Sequence, residues 1–291
     1  MSRIGITHMY FGHEFVADTD EYCRRISRAA RIGFDLISFA SDIPLALSKS
    51  DQQRVLEAAE KENVKINYLG GLPPNGDLCS DSAEDRSRGV AHLQHTARKL
   101  AELQEGAELA GAITGVMRQS LAGREKQQCW DHCADSMREA MKAAEDCGVI
   151  FSIEVLNRFE HFLINTCDEA FRFLEQVGSP NLKMLLDTYH MNIEEDSLGK
   201  AIVKAGDKLG LFHIGENNRR PPGYGHIPWD EVVRALKQID YQGDTVMEPI
   251  VRPGGTVGNL LAVWRDLSDG EDLDEAARKG LEFYRGKLAS V

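Results

Sequence analysis

Short apolar runs alternate with longer stretches of helical apolar spacing from one end of the chain to the other. The runs are RIGITHM around residue 5, FDLISFA at 34–40, VKINYLG at 64–70 and ELAGAITGV at 108–116. They continue with GVIFSIEVL at 148–156, LKMLLDT at 182–188, KLGLFHIG at 208–215 and GDTVMEP at 243–249. Between them, segments such as CWDHCADSMREAMKAAEDC and WDEVVRALKQI repeat apolar residues at intervals of three and four, the spacing of one helix face. Glycine stop signals in RIGF, DCGV and YQGD precede the second, fifth and eighth runs. The runs are apolar on both faces, as strands of a parallel sheet covered by helices must be. Eight βα units in 291 residues predict a single (β/α)8 TIM barrel domain over 1–291, near the usual size of about 250 residues. The competing doubly wound sheet is disfavoured because no Gly-x-Gly-x-x-Gly follows the first strand. The final DEAARKGLEFYRGKLASV reads as a closing helix.

Composition narrows the function classes. With 42% hydrophobic and 27% charged residues the chain has the make-up of a soluble globular protein. No apolar segment approaches the roughly 20 residues that span a bilayer, so no membrane role is expected. The opening MSRIGITHMYFGHEF has no signal-peptide core, which predicts a cytoplasmic protein. The net charge of −12, from 34 basic and 46 acidic residues, repels a phosphate backbone and argues against a nucleic-acid partner. Six scattered cysteines show no disulfide rhythm and read as reduced thiols. Cys129 and Cys133 stand four apart on a predicted helix, but no second pair accompanies them to complete a zinc site.

In a TIM barrel, chemistry collects where the strands end. Glu154 interrupts the apolar fifth strand, Asp187 ends the sixth, His213 lies in the seventh, and Glu248 ends the eighth. They are separated by 33, 26 and 35 residues, each about one βα unit, so four consecutive strands present one ligand-type side chain each at one rim. Singly, each has a plainer reading: Glu154 paired with an arginine, Asp187 as a helix cap, His213 in the core, Glu248 in a loop. Together, three carboxylates in one apolar mouth would repel one another unless a cation sat among them. Three carboxylates and an imidazole form a hard, oxygen-rich site that suits Mn²⁺, Mg²⁺ or Co²⁺ better than structural zinc.

The segments IEVLNRFE, LDTYHMNIEED, FHIGENNRRPPGYGHIPW and MEP…GG…VWRDLS, in that order, resemble the ketose 3-epimerases, the D-tagatose 3-epimerase/D-psicose (D-allulose) 3-epimerase group of xylose-isomerase-like TIM barrels. The likeness is dense from Gly148 to Ser268 and looser over the first 120 residues. It implies that Glu154, Asp187, His213 and Glu248 hold a divalent metal, Mn²⁺ before Co²⁺ or Mg²⁺. It implies that Glu154 and Glu248 are the acid/base pair and that Glu160, His190 and Arg219 contact the substrate. The implied reaction inverts C3 of free ketoses, D-tagatose/D-sorbose and D-fructose/D-psicose, with L-ribulose a further candidate, through an enediolate. The resemblance further implies a homo-oligomer, dimer or tetramer.

The chemistry of the residues agrees. A cation holding the C2 carbonyl and C3 hydroxyl oxygens would acidify the C3 proton. Carboxylates from two non-adjacent strands could then remove a proton on one face and deliver one on the other. Glu216 is open to two readings, orienting a substrate hydroxyl or water, or a structural hydrogen bond. Glu160 has an alternative in a salt bridge to Arg158, and Arg219 in a solvated surface position. Trp229 and Trp264 read as helix-packing residues, and the acidic 194–196 as a solvated helix start.

Two loops depart from the family pattern. THMYFGHEF places Thr7 and His8 where an aromatic pair is common, and GVMRQSLAGREKQQ lacks a Ser-x-Trp segment. The resemblance implies that both line the distal end of a sugar pocket, so activity on several ketoses differing at C4 to C6 is expected. An aldose–ketose or hydroxypyruvate isomerase on the same scaffold is the alternative enzyme. A barrel endonuclease would need more histidine ligands and a basic face. A sugar-binding module would need stacking aromatics in place of acid/base groups.

Overall fold

Polar caps and left-handed residues punctuate the chain. Helix α1 (Thr19–Ile32) starts where the Asp18 carboxylate accepts the N–H groups of Asp20 and Glu21, and stops at Gly33 with φ of 111°. Helix α2 (Lys49–Glu62) opens on the Ser48 hydroxyl and closes on Asn63 in the same left-handed region. The computed structural model describes residues 3–15, 18–41, 45–121 and 123–290. The ends of the expected 1–291 domain, Val291 of the expected closing helix and Ala122 of the expected fourth loop lie outside them.

Eight parallel strands follow: β1 (Ile4–Thr7), β2 (Leu36–Ala40), β3 (Lys65–Gly71), β4 (Glu108–Ala112), β5 (Ile150–Glu154), β6 (Leu182–Asp187), β7 (Leu209–Ile214) and β8 (Thr245–Met247). They close in sequence order into one barrel, the TIM barrel the periodicity predicts. Most strands are shorter than the runs that predict them, and for two of them the cause is visible. β4 ends at Ala112 because Gly111, with φ of 121°, bends the chain and Ile113 N–H turns back to the Gly111 carbonyl. β8 keeps only three ladder residues before Glu248 and Pro249.

Backbone contacts group the chain into two compact units, Met1–Asn67 with Phe212–Val291, and Tyr68–Leu211. In the first, β1 pairs with β2 and β8, and β7 with β8. Gly5 makes the β1–β2 approach possible, since a Cβ there would lie 2.3 Å from Leu36 Cδ2 and 2.7 Å from its carbonyl oxygen. The Asp244 carboxylate below β8 is neutralised by Lys65 at 2.7 Å and Arg3 at 3.6 Å. The closing helix α10 (Leu273–Ala289) accepts a hydrogen bond from Tyr10 at the Leu273 carbonyl. In the second unit, β3 to β6 pair in turn, covered by α3 (Ala83–Leu103), α4 (Lys126–Cys147) and α5 (Cys167–Val177). Cys129 and Cys133 are buried on α4, and Cys133 joins Cys79 in donating to the Thr114 carbonyl at 3.0 and 3.2 Å. All six cysteines are free thiols.

Two buried histidines make the fold sensitive to acid. Burial, with Arg25 beside it, pushes His8 down to about 3; burial, with Arg124 and Lys126 nearby, pushes His161 to about 4. Between those values and the unfolded value of about 6.5, the unfolded chain binds protons that the folded chain refuses, so stability rises with pH across that window. The thermal midpoint is therefore expected to fall steeply as pH drops from 6.5 towards 4. Calorimetry across that range should show His161→Gln flattening the slope by about one proton; an unchanged slope would rule His161 out as a source.

Candidate active site

The strand ends deliver the four expected side chains. Glu154 is the last residue of β5, Asp187 the last of β6, His213 the penultimate residue of β7, and Glu248 follows Met247 of β8 directly. One ligand atom from each, all four together, lie within 4.8 Å of one another. Asp187 and His213 are fully buried, Glu248 is 6% exposed, and Glu154 is slightly more open. The donor set, three carboxylate oxygens and one imidazole nitrogen at such close range, fits a hard divalent cation.

Asp187 caps a helix and also stands in the cluster. Its Oδ1 accepts the Tyr189 N–H at 2.9 Å and caps α6 (Thr188–Glu194), while the same carboxylate takes part in the cluster of four. The strand-to-helix turn thus holds the carboxylate still. His190, on the first turn of α6, is buried with Nε2 3.6 Å from Glu154 Oε1 and 3.7 Å from Asp187 Oδ2.

On the other strands, Glu248 Oε2 accepts from Arg219 at 2.9 Å and lies 3.6 Å from His213 Nδ1. Arg219 is buried, not a solvated surface residue. Its φ of 62° is strained for a side-chain-bearing residue, and neighbouring bonds hold it there. Its N–H donates to the Glu216 carbonyl at 2.9 Å and its own carbonyl accepts from Ile250 at 2.8 Å. Glu216 proves structural: its carboxylate accepts from Gly223 N–H, Ile227 N–H and Trp229 Nε1 at 2.7–3.0 Å, pinning the loop that carries Arg219.

Glu160 is buried, and its Oε1 accepts from Asn157 Nδ2 at 3.4 Å. The alternative partner, Arg158, instead forks onto Glu194 with bonds of 2.7–3.2 Å. This corrects the expectation for 194–196. Glu194 ends α6 instead of starting a helix, and Glu195 accepts the Cys167 N–H at 2.7 Å at the start of α5. Trp229 is buried against Phe283 and Tyr284, as helix packing predicts. Trp264 is not: it is 72% exposed, because 261–268 leaves the helical path after α9 (Gly255–Leu260) and offers it no helix face. Asn157 is the residue sequence reading missed, since an amide in a turn has many unremarkable uses.

A closed (β/α)8 barrel with a carboxylate–imidazole cluster at its strand ends defines a TIM barrel with a candidate divalent-metal site. Residues 26–286 match the family model for the xylose isomerase-like TIM barrel. D-psicose 3-epimerase of Ruminiclostridium cellulolyticum is 41% identical over 97% of this chain and 96% of its own length. L-ribulose 3-epimerase of Methylomonas sp. is 34% identical over 95% of this chain and 96% of its own length. A crystal structure of D-psicose 3-epimerase with D-tagatose from Clostridium cellulolyticum H10 superimposes with a TM-score of 0.93 at 39% identity, covering 98% of this chain and 99% of the other. The chain belongs to the ketose 3-epimerase family of xylose isomerase-like TIM barrels, a family of isomerases. Among the described residues no helix is long and apolar enough to cross a membrane.

Proposed function

We propose that the protein is a divalent-metal-dependent ketose 3-epimerase acting on free ketoses, with D-fructose/D-psicose and D-tagatose/D-sorbose as first substrates and L-ribulose as a third. The observation that carries this reading is the convergence of Glu154, Asp187, His213 and Glu248 within 4.8 Å at the strand ends. These four side chains would hold a divalent metal, Mn²⁺ in the first instance with Co²⁺ or Mg²⁺ as substitutes, which would supply Lewis acidity to the reacting end of the ketose. Glu154 and Glu248, on the non-adjacent strands β5 and β8, act on opposite faces of C3. One takes the C3 proton and the other returns a proton, and the roles exchange in the reverse direction. Arg219 holds the Glu248 carboxylate in place, and with Glu160 and His190 it hydrogen-bonds the reacting end of the sugar. Asp187 and His213 are ligands only. The acidic surface favours a neutral sugar over any nucleic acid.

The test is a proton NMR time course in D₂O with Mn²⁺-reconstituted protein and D-tagatose, D-fructose or L-ribulose, the metal being removed before each spectrum. Deuterium at C3 with accumulation of the C3 epimer is the expected result. Exchange at C1 with an aldose product would move the assignment to an aldose–ketose isomerase. No exchange with any ketose would overturn the reading.

A further inference from the structure

The turn after β5 brings together three buried polar side chains, Asn157, Glu160 and His190, and the positions of their atoms define how a proton is placed on the imidazole. Asn157 is 1% exposed. Its amide orientation is determined by a partner outside the site: Oδ1 accepts the Phe159 N–H at 2.9 Å, an Asx turn that leaves Nδ2 on the other side. Nδ2 then lies 2.8 Å from His190 Nδ1 and 3.4 Å from Glu160 Oε1. The Asn157 backbone N–H also points at His190 Nδ1, at 3.2 Å. Nδ1 thus faces two N–H donors, and a nitrogen so placed must offer its lone pair. The ring proton is left on Nε2, the nitrogen nearer Glu154 and Asp187.

We infer that Asn157 is a positioning residue that locks His190 as the Nε2–H tautomer, aimed into the cluster of strand-end carboxylates, and holds Glu160 beside it with the same amide group. The inference rests on the epimerase reading for what the Nε2–H is used for: a donor to the oxyanion that develops on the sugar as the C3 proton leaves. One amide does three things: its oxygen closes the turn, and its two N–H bonds orient the imidazole and a carboxylate. The arrangement keeps His190 out of the proton relay. A proton arriving on Nδ1 would meet two donors, so the imidazole serves as a hydrogen-bond donor while the carboxylates shuttle the proton.

Two substitutions separate this role from a structural one. Asn157→Asp keeps an oxygen for the Phe159 N–H, so the turn survives, but replaces the donor facing His190 Nδ1 and Glu160 with an acceptor. Asn157→Ala abolishes the turn contact yet leaves the backbone N–H on Nδ1. If Asn157 positions the imidazole, Asn157→Asp is the worse variant. Its kcat should fall roughly 10²-fold, the cost of misplacing one donor to a developing oxyanion, with KM changed far less. Asn157→Ala should retain more activity. If Asn157 merely closes the turn, the order reverses and the inference fails.

The spectroscopic readout is the ¹⁵N ring spectrum of histidine-labelled, Mg²⁺-loaded protein, with the His190 signals assigned by their disappearance in His190→Gln. Wild type is expected to show a pyridine-like Nδ1 and a pyrrole-like Nε2, and Asn157→Asp a protonated Nδ1. A wild-type pyrrole-like Nδ1 would overturn the inference whether or not either variant folds. The two readings fail differently. A protein that epimerises no ketose but shows the Nε2–H ring loses the proposed function and keeps the tautomer lock, whereas an active epimerase with Nδ1–H loses the lock alone.

Discussion

If the protein epimerises ketoses as proposed, Glu154→Gln and Glu248→Gln are each expected to lower the rate of C3 epimerisation by about 10³-fold or more, since each would remove a proton-transfer group and a metal ligand together. Glutamine keeps the size and one oxygen of the carboxylate, so the shape of the site changes little. What disappears is the capacity to accept the C3 proton. Both variants should stay folded. In Glu248→Gln the Arg219 guanidinium loses the carboxylate it contacts at 2.9 Å, but the cluster also sheds one of three converging negative charges. These effects oppose each other. The two variants should differ in exchange: with one base gone, the remaining carboxylate reaches the C3 proton of only one epimer. Deuterium incorporation without inversion should thus survive in one epimer for Glu154→Gln and in the opposite one for Glu248→Gln. Exchange of both epimers at equal rates in either variant, or near-normal epimerisation, would remove the two-carboxylate mechanism.

The residues that were legible in sequence share one property: a ligand-type side chain standing where a buried strand should be apolar. Glu154, Asp187, His213 and Glu248 meet that description and repeat at the spacing of one βα unit, so chain order alone places them at one rim. Other parts depend on partners distant in the chain. Asn157 gains its role from His190, 33 residues on, and an isolated Asn in VLNRFE carries no sign of that. Arg158 and Glu160 are neighbours of equal plausibility as a pair, yet Glu194 takes the arginine. Glu216 became structural only when Gly223, Ile227 and Trp229 all proved to donate to it. Trp264 failed for the reverse reason: indole area predicts burial only where another element exists to cover it. Two of the strand ends misjudged by sequence, those of β4 and β8, lie where a glycine and a proline interrupt an apolar run without changing its hydropathy.

Removal of the divalent metal by chelation is expected to abolish epimerisation and to lower the thermal midpoint, and the second effect follows from the cluster itself. Three carboxylates and an imidazole place ligand atoms within 4.8 Å of one another, all but Glu154 fully or nearly fully buried. At that separation each pair of like charges costs about 3 kcal/mol at an effective dielectric constant near 20. Arg219 contacts Glu248 directly at 2.9 Å and relieves part of this repulsion. A bound dication offsets the repulsion in the folded state, while the unfolded chain has no such site. Its stabilisation is therefore about 2.7 kcal/mol at a free concentration one hundred times Kd, or about 4 °C in a chain of this size. Calorimetry of stripped protein titrated with Mn²⁺, Co²⁺ and Mg²⁺ should show the midpoint rising with the logarithm of metal concentration, and activity should return over the same range. In Asp187→Asn, which keeps an Oδ1 to accept the Tyr189 N–H, the midpoint should rise much less with metal. A midpoint indifferent to metal in the wild type would mean that the four strand-end side chains are held together by something other than a cation, and the reading of the cluster as a metal site would fall with it.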